Sequence, residues 1–118
     1  TKDAEKIRGI LKSHFEEHTG RTGIFAYNDR RAIQSHGILQ ELGVEIPQRA
    51  SLVGFDNTYT CGFLYPGLSS VSQPNQEMAV KAVQRLLWKI AHPDAQEAMD
   101  EAMQARLIVR GSSAVENR

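Results

Sequence analysis

Two short apolar segments that end in polar residues limit the folds open to this chain more than any other feature. Residues 22–29 (TGIFAYND) pass from a strand-like apolar run into Asn28, and a helical pattern follows directly. Residues 51–57 (SLVGFDN) repeat this arrangement and place Asp56 at the end of the run. Strands that alternate with helices are typical of a parallel α/β sheet, whose ligands bind outside the carboxyl ends of the strands. We therefore take Asn28 and Asp56 as the first candidates for ligand-binding residues, although helix capping explains Asn28 and turn formation explains Asp56 as well.

The rest of the chain continues the alternation of helices and strands. Apolar residues at spacings of three and four predict helices over residues 3–18, 30–42 and 75–91. Short apolar runs predict strands at residues 24–27, 52–55, 69–72 and 103–109. The run at 52–55 has no polar alternation, so we expect a strand that is covered on both faces. Residues 57–67 are expected to form an irregular loop, and the polar tail from Gly111 is expected to be mobile.

Composition limits the partners of the chain. Its 118 residues are enough for one domain, and 14 basic residues balance 14 acidic ones. Because nucleic-acid binding requires a basic surface, we do not expect this segment itself to contact DNA. No apolar run approaches the roughly 20 residues of a membrane span, and residues 1–6 do not resemble a signal peptide. The single cysteine, Cys61, suits a reducing compartment. We expect a cytoplasmic protein without a membrane partner.

Catalytic and metal-binding motifs are weak in this sequence. His14 and His18 match the H-x-x-E-H pattern of a zinc peptidase, but a catalytic zinc needs a third ligand, and the sequence offers no suitable one. We favour solvated histidines at a helix end over a metal site. Ser51, Ser69 and Cys61 have no His and acid partners at positions that would activate a nucleophile. The sequence thus predicts no catalytic residue, no metal and no cofactor.

Two apolar features point to a protein interface. On the helix at 30–42, Ile33 and Gly37 lie away from the face that carries Ala32 and Leu39. An apolar residue near a glycine outside the core face favours a close contact with another helix, although simple exposure of Ile33 explains the pattern as well. The loop at 57–67 is a second candidate surface, because it carries several aromatic residues: Tyr59, Phe63 and Tyr65.

Several motifs occur together and in one order along the chain. They are IFAYND (24–29), RAI (31–33), LGVEIP (42–47), SLVGFDN (51–57), PGL (66–68), SVSQP (70–74) and VRGS (109–112). In this order they resemble the lactose-repressor/galactose-repressor (LacI/GalR) family of bacterial transcription regulators. The resemblance extends from about residue 1 to residue 113 and corresponds to only the last third or so of such a protein.

The resemblance implies a fold and a division of the chain. The fold would be a doubly wound parallel α/β sheet of the periplasmic-binding-protein-like type, in which two subdomains enclose an effector in a cleft. Residues 1–73 and 105–112 would belong to the C-terminal subdomain, and residues 75–103 would cross to the N-terminal subdomain. The family's helix-turn-helix DNA-binding domain is N-terminal and absent from this chain, in keeping with its zero formal charge.

The resemblance also assigns residues to the cleft. Asn28, Asp56 and Gln73 match positions that hydrogen-bond the effector, which in this family is usually a sugar or another small metabolite. Asn75 falls where some members place an aromatic ring against the ligand, so stacking is not expected from it. Asp29 is expected to cap the following helix instead of contacting the ligand.

A dimer and a function follow from the same resemblance. The faces that carry Ile33, Gly37, Phe63 and Leu64 match the family's dimer interface. The chain is thus expected to be the effector-sensing and dimerisation portion of a homodimeric regulator that binds DNA through an N-terminal domain. The alternative is a sugar-binding protein of an ABC transporter, which shares the fold and the cleft positions. The N-terminus of the full-length protein distinguishes the two: a helix-turn-helix would indicate the regulator, and a signal peptide would indicate the transporter component.

The crossover leaves the helix at 75–91 without its usual partner within this sequence. In the family, this helix packs in the N-terminal subdomain. We expect its apolar stripe to pack on a neighbouring chain or to redock elsewhere: Met78, Ala82, Leu86 and Ile90.

Overall fold

Helices and strands alternate along the chain in the computed structural model, which describes residues 1–97 and 100–113. The elements are α1 (Lys2–Glu17), β1 (Thr22–Phe25), α2 (Asp29–Glu41), β2 (Ala50–Phe55), a 3-10 helix (Tyr59–Phe63), β3 (Ser69–Ser72), α3 (Asn75–Ala91) and β4 (Arg106–Ile108). The described residues divide into two compact units, of which the first comprises residues 1–72 and 107–113, and the second residues 73–97 and 100–106. The subdomain boundaries implied by the family resemblance remain a prediction.

A parallel sheet forms the centre of the first unit. The strands lie in the order β1-β2-β3-β4, and β2 pairs in parallel with both β1 and β3. Ile24 lies opposite Leu52 in this register. The predicted α/β fold with a parallel sheet is therefore confirmed. Since β1 and β2 run in the same direction, their carboxyl ends, followed by Asn28 and Asp56, lie at the same edge of the sheet.

Local signals set the ends of the helices. The Thr1 hydroxyl accepts a hydrogen bond from the Ala4 amide at 3.2 Å and so caps α1. Gly43 has a φ of +70°, a left-handed conformation that suits glycine and ends α2. Two predicted segments differ in detail from the structure: β4 is shorter than the strand predicted at 103–109, and the loop predicted at 57–67 contains the 3-10 helix.

Side chains from α1, α2 and the sheet form the core of the first unit. One buried cluster joins α1 to α2 and β2 and consists of Leu11, Ile38, Leu39 and Ala50. The other joins α2 and β2 to the 3-10 helix and consists of Ala26, Ala32, Leu52, Cys61 and Leu68. Because α2 contributes to both clusters, it determines how the helical layer lies on the sheet.

The face of the sheet opposite α2 is only partly covered. Alternate residues of β2 are buried, namely Ala50, Leu52 and Gly54, and the residues between them are half-buried. Phe25 in β1 remains 65% exposed. The expectation of a strand covered on both faces is thus wrong for the described residues. Both core clusters draw on the same face of β2, so the helical layer of this unit covers one side only.

The segment expected to be a mobile tail is anchored in the sheet. Ser112 is fully buried, its amide donates to Gly67 O at 2.9 Å, and its carbonyl accepts from Leu52 N at 2.9 Å. Its hydroxyl donates to Leu52 O at 2.5 Å and accepts from Ser69 N at 2.8 Å. The expectation was wrong for residues 111–113, because β3 pairs with β2 only from Val53 onward, and Ser112 fills the adjoining gap. Residues 114–118 lie outside the described residues.

Helix α3 dominates the second unit, and none of its residues is buried. Leu86 and Ile90 of the predicted stripe are 60% and 67% exposed. Glu101 accepts hydrogen bonds from Lys81 at 2.5 Å and from Arg85 at 3.0 Å, and so holds the segment after α3 against the helix. Redocking therefore does not bury the stripe within the described residues, and its packing on a neighbouring chain stays a prediction. No helix in the described ranges has both the length and the apolar character that a membrane span requires.

Candidate ligand-binding site

Asn28 caps helix α2. Its backbone is extended, and its Oδ1 accepts a hydrogen bond from the Arg31 amide at 2.9 Å. The Asn28 amide nitrogen forms no hydrogen bond with residues 1–97 or 100–113, so both of its N–H groups remain as donors. The expectation that Asp29 caps this helix is wrong, because Asn28 already fills that position.

Asp29 lies instead in the interior, with only 1% of its surface exposed. Its Oδ1 accepts from Ser70 Oγ at 2.5 Å, and its Oδ2 accepts from Thr58 N at 2.6 Å and from Cys61 Sγ at 3.2 Å. Burial raises the pKa of Asp29, but the hydrogen bonds from Ser70, Thr58 and Cys61 outweigh it and hold the pKa below its ordinary value. We call these four residues the Asp29 network. Its centre is an ionised carboxylate at neutral pH.

Burial also affects the thiol of the network. It raises the pKa of Cys61, and the hydrogen bond to the Asp29 carboxylate raises that pKa further. Cys61 is fully buried and therefore stays protonated, which allows it to donate to Asp29. The thiol has a structural role here, and its environment is the opposite of one that activates a nucleophile.

Asp56 begins a turn of unusual backbone conformation, which we call the strand-end turn (residues 56–58). Asp56 has a φ of +107° and Asn57 a φ of +52°, values that residues other than glycine rarely adopt. Each amide of the turn donates to a different group: Asp56 N to Val71 O at 2.9 Å, Asn57 N to Ser70 Oγ at 3.0 Å and Thr58 N to Asp29 Oδ2. The Asp56 side chain is therefore exposed, whereas the backbone of the turn that carries it is held by hydrogen bonds.

Two further residues support this region, and neither was identified from the sequence. Gly54 lies under the Asp29 carboxylate: a Cβ at this position would approach Asp29 Oδ1 to 2.4 Å. Arg110 donates to Asn57 Oδ1 at 2.8 Å and to Leu68 O at 2.7 Å. A glycine inside a strand signals a close backbone approach, so Gly54 was detectable in principle. Nothing in the sequence around Arg110 indicated its contacts.

The register of the strands brings the two first candidates to equivalent positions. Phe25 pairs with Val53, and Asn28 and Asp56 each lie three residues beyond this pair. An amide donor and a carboxylate acceptor thus follow adjacent strands at one edge of the sheet. The ligand-binding roles of both residues remain a prediction.

Gln73 and Asn75 lie at the start of the second unit. Gln73 is half-buried and follows β3, and Asn75 is the exposed first residue of α3. Both line an open depression of about 660 Å³, together with Pro74, Gln76, Glu77 and Val80. The structure thus brings these two residues together within their own unit, and their roles toward a ligand also remain a prediction.

The residues predicted for a dimer interface differ in exposure. Ile33 and Leu64 are half-buried and pack on the core cluster around Cys61. Ile33 was expected to lie off the core face, and this was wrong because the loop after the 3-10 helix folds along α2. His36 Nε2 in α2 lies 3.1 Å from the loop carbonyl Pro66 O, and Gln40, one turn further along α2, donates to the loop carbonyl of residue 65 at 3.0 Å.

Gly37 and Phe63 are the exposed members of the predicted interface. Nothing lies within 4 Å of a Cβ built on Gly37. Phe63 is 80% exposed, and its ring meets the ring of Tyr59, 83% exposed, edge to face at 6.1 Å. Exposed aromatic side chains of this kind are typical of protein contacts. The dimer interface itself remains a prediction.

The two histidines of the zinc-peptidase pattern interact with each other and with the chain. Their rings stack at 4.4 Å, and His14 Nε2 lies 2.9 Å from Thr22 Oγ1. His18 Nδ1 lies 3.0 Å from the carbonyl oxygen of His14. Within residues 1–97 and 100–113, no three His, Cys, Asp or Glu side chains are grouped so that they could hold a metal ion.

Known proteins resemble the chain over nearly its whole length. A family model described as a periplasmic binding protein-like domain matches residues 2–113. The chain belongs to this family. The HTH-type transcriptional repressor PurR from Aliivibrio fischeri is 31% identical over 103 residues, which make up 87% of this chain and 30% of that protein. The chain thus spans less than a third of the length of this relative.

Solved structures of regulators share the fold. A LacI family transcriptional regulator from Enterococcus faecalis with bound ribose has a TM-score of 0.76 and 32% identity over 94% of this chain and 39% of that chain. A LacI family regulator from Arthrobacter sp. in complex with lactose has a TM-score of 0.78 and 25% identity over 94% of this chain and 41% of that chain. The resemblance to LacI/GalR regulators and the periplasmic-binding-protein-like fold are confirmed. These relatives are transcription regulators and not enzymes.

Proposed function

We propose that this chain is the effector-sensing and dimerisation portion of a LacI-type transcription regulator whose effector is a sugar or a similar small metabolite. The observation that carries the proposal is the edge at which Asn28 and Asp56 follow two adjacent parallel strands. An amide nitrogen that donates and a carboxylate that accepts complement the hydroxyl groups of a sugar. The ribose and the lactose in the two related regulators support a ligand of this class.

Gln73 and Asn75 complete the proposed ligand set, as the family resemblance implies. No catalytic residue and no cofactor are part of the proposal. The effector controls transcription only to the extent that it binds two conformations of the whole regulator with different affinities. DNA is bound by an N-terminal helix-turn-helix domain outside this chain, and the regulator acts as a homodimer in the cytoplasm. The transcription regulators among the relatives favour this proposal over a transporter's sugar-binding protein.

Calorimetry on the complete polypeptide that contains this chain tests the ligand site. The titrants are ribose, lactose, further sugars and nucleobases. Asp56→Ala should weaken binding of the best ligand by roughly 10- to 100-fold, because a charge-assisted hydrogen bond contributes about 1.5 to 3 kcal/mol. Asp94→Ala is the matched control, since Asp94 is an exposed aspartate in the loop after α3. Equal affinities of the parent and Asp56→Ala would show that the site is assigned wrongly.

Sedimentation equilibrium tests the dimer. Phe63→Asp places a charge in the exposed aromatic surface and should raise the dimer dissociation constant at least about 30-fold, as expected for a central interface residue. Tyr27→Asp is the control, because Tyr27 is an exposed aromatic residue outside the proposed interface. A Phe63→Asp protein that remains as dimeric as the parent contradicts this part of the proposal.

A further inference from the structure

The three backbone amides of the strand-end turn donate to three different acceptors, and two of these acceptors depend on Asp29. Its carboxylate accepts directly from Thr58 N. It also accepts from Ser70 Oγ, and the same hydroxyl oxygen accepts from Asn57 N. The third acceptor is a backbone carbonyl of β3. Asp29 therefore determines much of the orientation of the segment that begins with Asp56.

Helix capping does not account for the position of this carboxylate. The cap of α2 is Asn28, so Asp29 is not needed for that purpose. Burial of a charge costs free energy unless hydrogen bonds compensate it. All three donors to Asp29 belong to the segments that follow β2, namely Thr58, Cys61 and Ser70. The carboxylate thus serves the loop after β2 in addition to its own helix.

The strand-end turn needs this support because its backbone is strained. A non-glycine residue with φ well above zero costs on the order of 1 to 3 kcal/mol. Asp56, with a φ of +107°, has such a value, and Asn57 lies in the left-handed region that asparagine tolerates better than most residues. Conformations of this kind persist only where the surroundings enforce them. Without the Asp29 carboxylate, we expect the turn to relax toward ordinary extended or helical backbone.

We infer that Asp29 is a positioning residue of the proposed ligand site, which holds residues 56–58 so that the Asp56 side chain meets the ligand in one fixed orientation. The control of the turn by Asp29 stands on the contacts of this chain, whereas its effect on a ligand rests on the proposed function. Hydrogen bonds to a sugar are directional, so rotation of the Asp56 backbone weakens binding although Asp29 does not contact the ligand.

Two variants and one control test this inference in the complete polypeptide. Asp29→Asn keeps the size of the side chain but cannot accept from all three donors, and Ser70→Ala removes the hydroxyl that links Asp29 to Asn57. Ser112→Ala is the matched control, because Ser112 is also a fully buried serine with two side-chain hydrogen bonds. Hydrogen-exchange mass spectrometry of residues 56–58 without ligand reports on the turn, and calorimetry with ribose reports on binding.

Asp29→Asn and Ser70→Ala should each increase exchange in residues 56–58 and weaken ribose binding by about 10-fold or more. The double variant should lose less ribose-binding free energy than the sum of the losses of the two single variants, because both substitutions act through one turn. Ser112→Ala should lower the melting temperature and leave the exchange of 56–58 and the ribose affinity unchanged.

The possible results separate this inference from the proposed function. Exchange and ribose affinity that stay at parental levels in both variants overturn the positioning role, even if the melting temperature falls. If exchange rises in the variants but the parent binds no sugar, the control of the turn stands and the proposed function fails. If Asp29→Asn does not fold, Ser70→Ala alone decides between these results.

Discussion

The strand-end turn of the first unit and helix α3 of the second unit differ in whether their surroundings within the chain bury and pair their side chains. Around the turn, polar groups are buried and paired within the chain, with the Asp29 carboxylate at the centre. In α3 no residue is buried, and apolar side chains such as Leu86 are more than half exposed. The first region is completed by its own residues. The second presents an apolar surface of the kind that marks a contact with other protein.

The largest effect is expected at Gly54, where the first region leaves no space. Gly54→Ala should destabilise the first unit by about 3 kcal/mol, because the added methyl group overpacks the interior and displaces the Asp29 carboxylate from its hydrogen bonds. Ala32 limits any other movement, since its Cβ would lie 3.1 Å from the new atom. Urea denaturation of the variant and the parent measures the difference.

Gly62→Ala is the control for this substitution. Nothing lies within 4 Å of a Cβ built on Gly62, so the change should alter stability by less than about 1 kcal/mol. Equal stabilities of Gly54→Ala and the parent would mean that the Asp29 network is looser than its hydrogen bonds indicate.

A smaller effect is expected at Leu86, and it tests the other half of the comparison. If other protein covers the stripe of α3, Leu86→Ala should destabilise the complete polypeptide by about 2 kcal/mol. Gln84→Ala is the control, because Gln84 is an exposed polar residue of the same helix. A Leu86→Ala protein with parental stability would show that α3 remains solvated. The two regions would then differ in the polarity of their side chains, and no other protein would cover α3.

The smallest effect on the unfolding free energy is expected from lowering the pH. The pKa of Asp29 is lower in the folded state than its ordinary value, because the hydrogen bonds outweigh the effect of burial. A group of this kind stabilises the fold above its unfolded pKa, and the contribution is lost as the pH falls through the folded pKa. The difference in unfolding free energy between the parent and Asp29→Asn should therefore shrink as the pH falls from about 5 through the folded pKa.

Asp94→Asn gives the baseline for this experiment, since Asp94 is exposed. The difference between Asp94→Asn and the parent at each pH is the reference against which the Asp29→Asn difference is compared. A difference for Asp29→Asn that does not change with pH would mean that the Asp29 carboxylate titrates alike in the folded and unfolded chain.

The order of helices and strands was predictable from the sequence, because local patterns carry that information. Helical periodicity and short apolar runs predicted three helices and the central strands within a few residues, and the ordered motifs indicated the family. Exposure of the second sheet face could not be predicted from the run at 52–55, since a strand pattern does not reveal how many helical layers lie nearby. The buried position of Ser112 was missed because a polar tail gives no sign of a distant gap between strands.

The candidate site was predictable in part. The order of strands and polar residues located Asn28 and Asp56, and the parallel pairing of β1 and β2 agrees with that location. Asp29 was misassigned because Asn and Asp both favour helix caps, and sequence alone does not decide which of two neighbours turns inward. The contacts of Asp29 with Thr58 and Ser70 span long stretches of sequence, so they became visible only with the fold.

The burial of Ser112 between β2 and β3 also affects the order in which the chain can fold during synthesis. Leu52 and Ser112 are 60 residues apart in sequence, yet each holds a backbone group of the other. Contacts of such separation form slowly, and on a ribosome they cannot form before residue 112 has left the exit tunnel. The first unit therefore cannot be completed, and the amides of Leu52 and Ser69 lack their native acceptors, until the second unit has already been made.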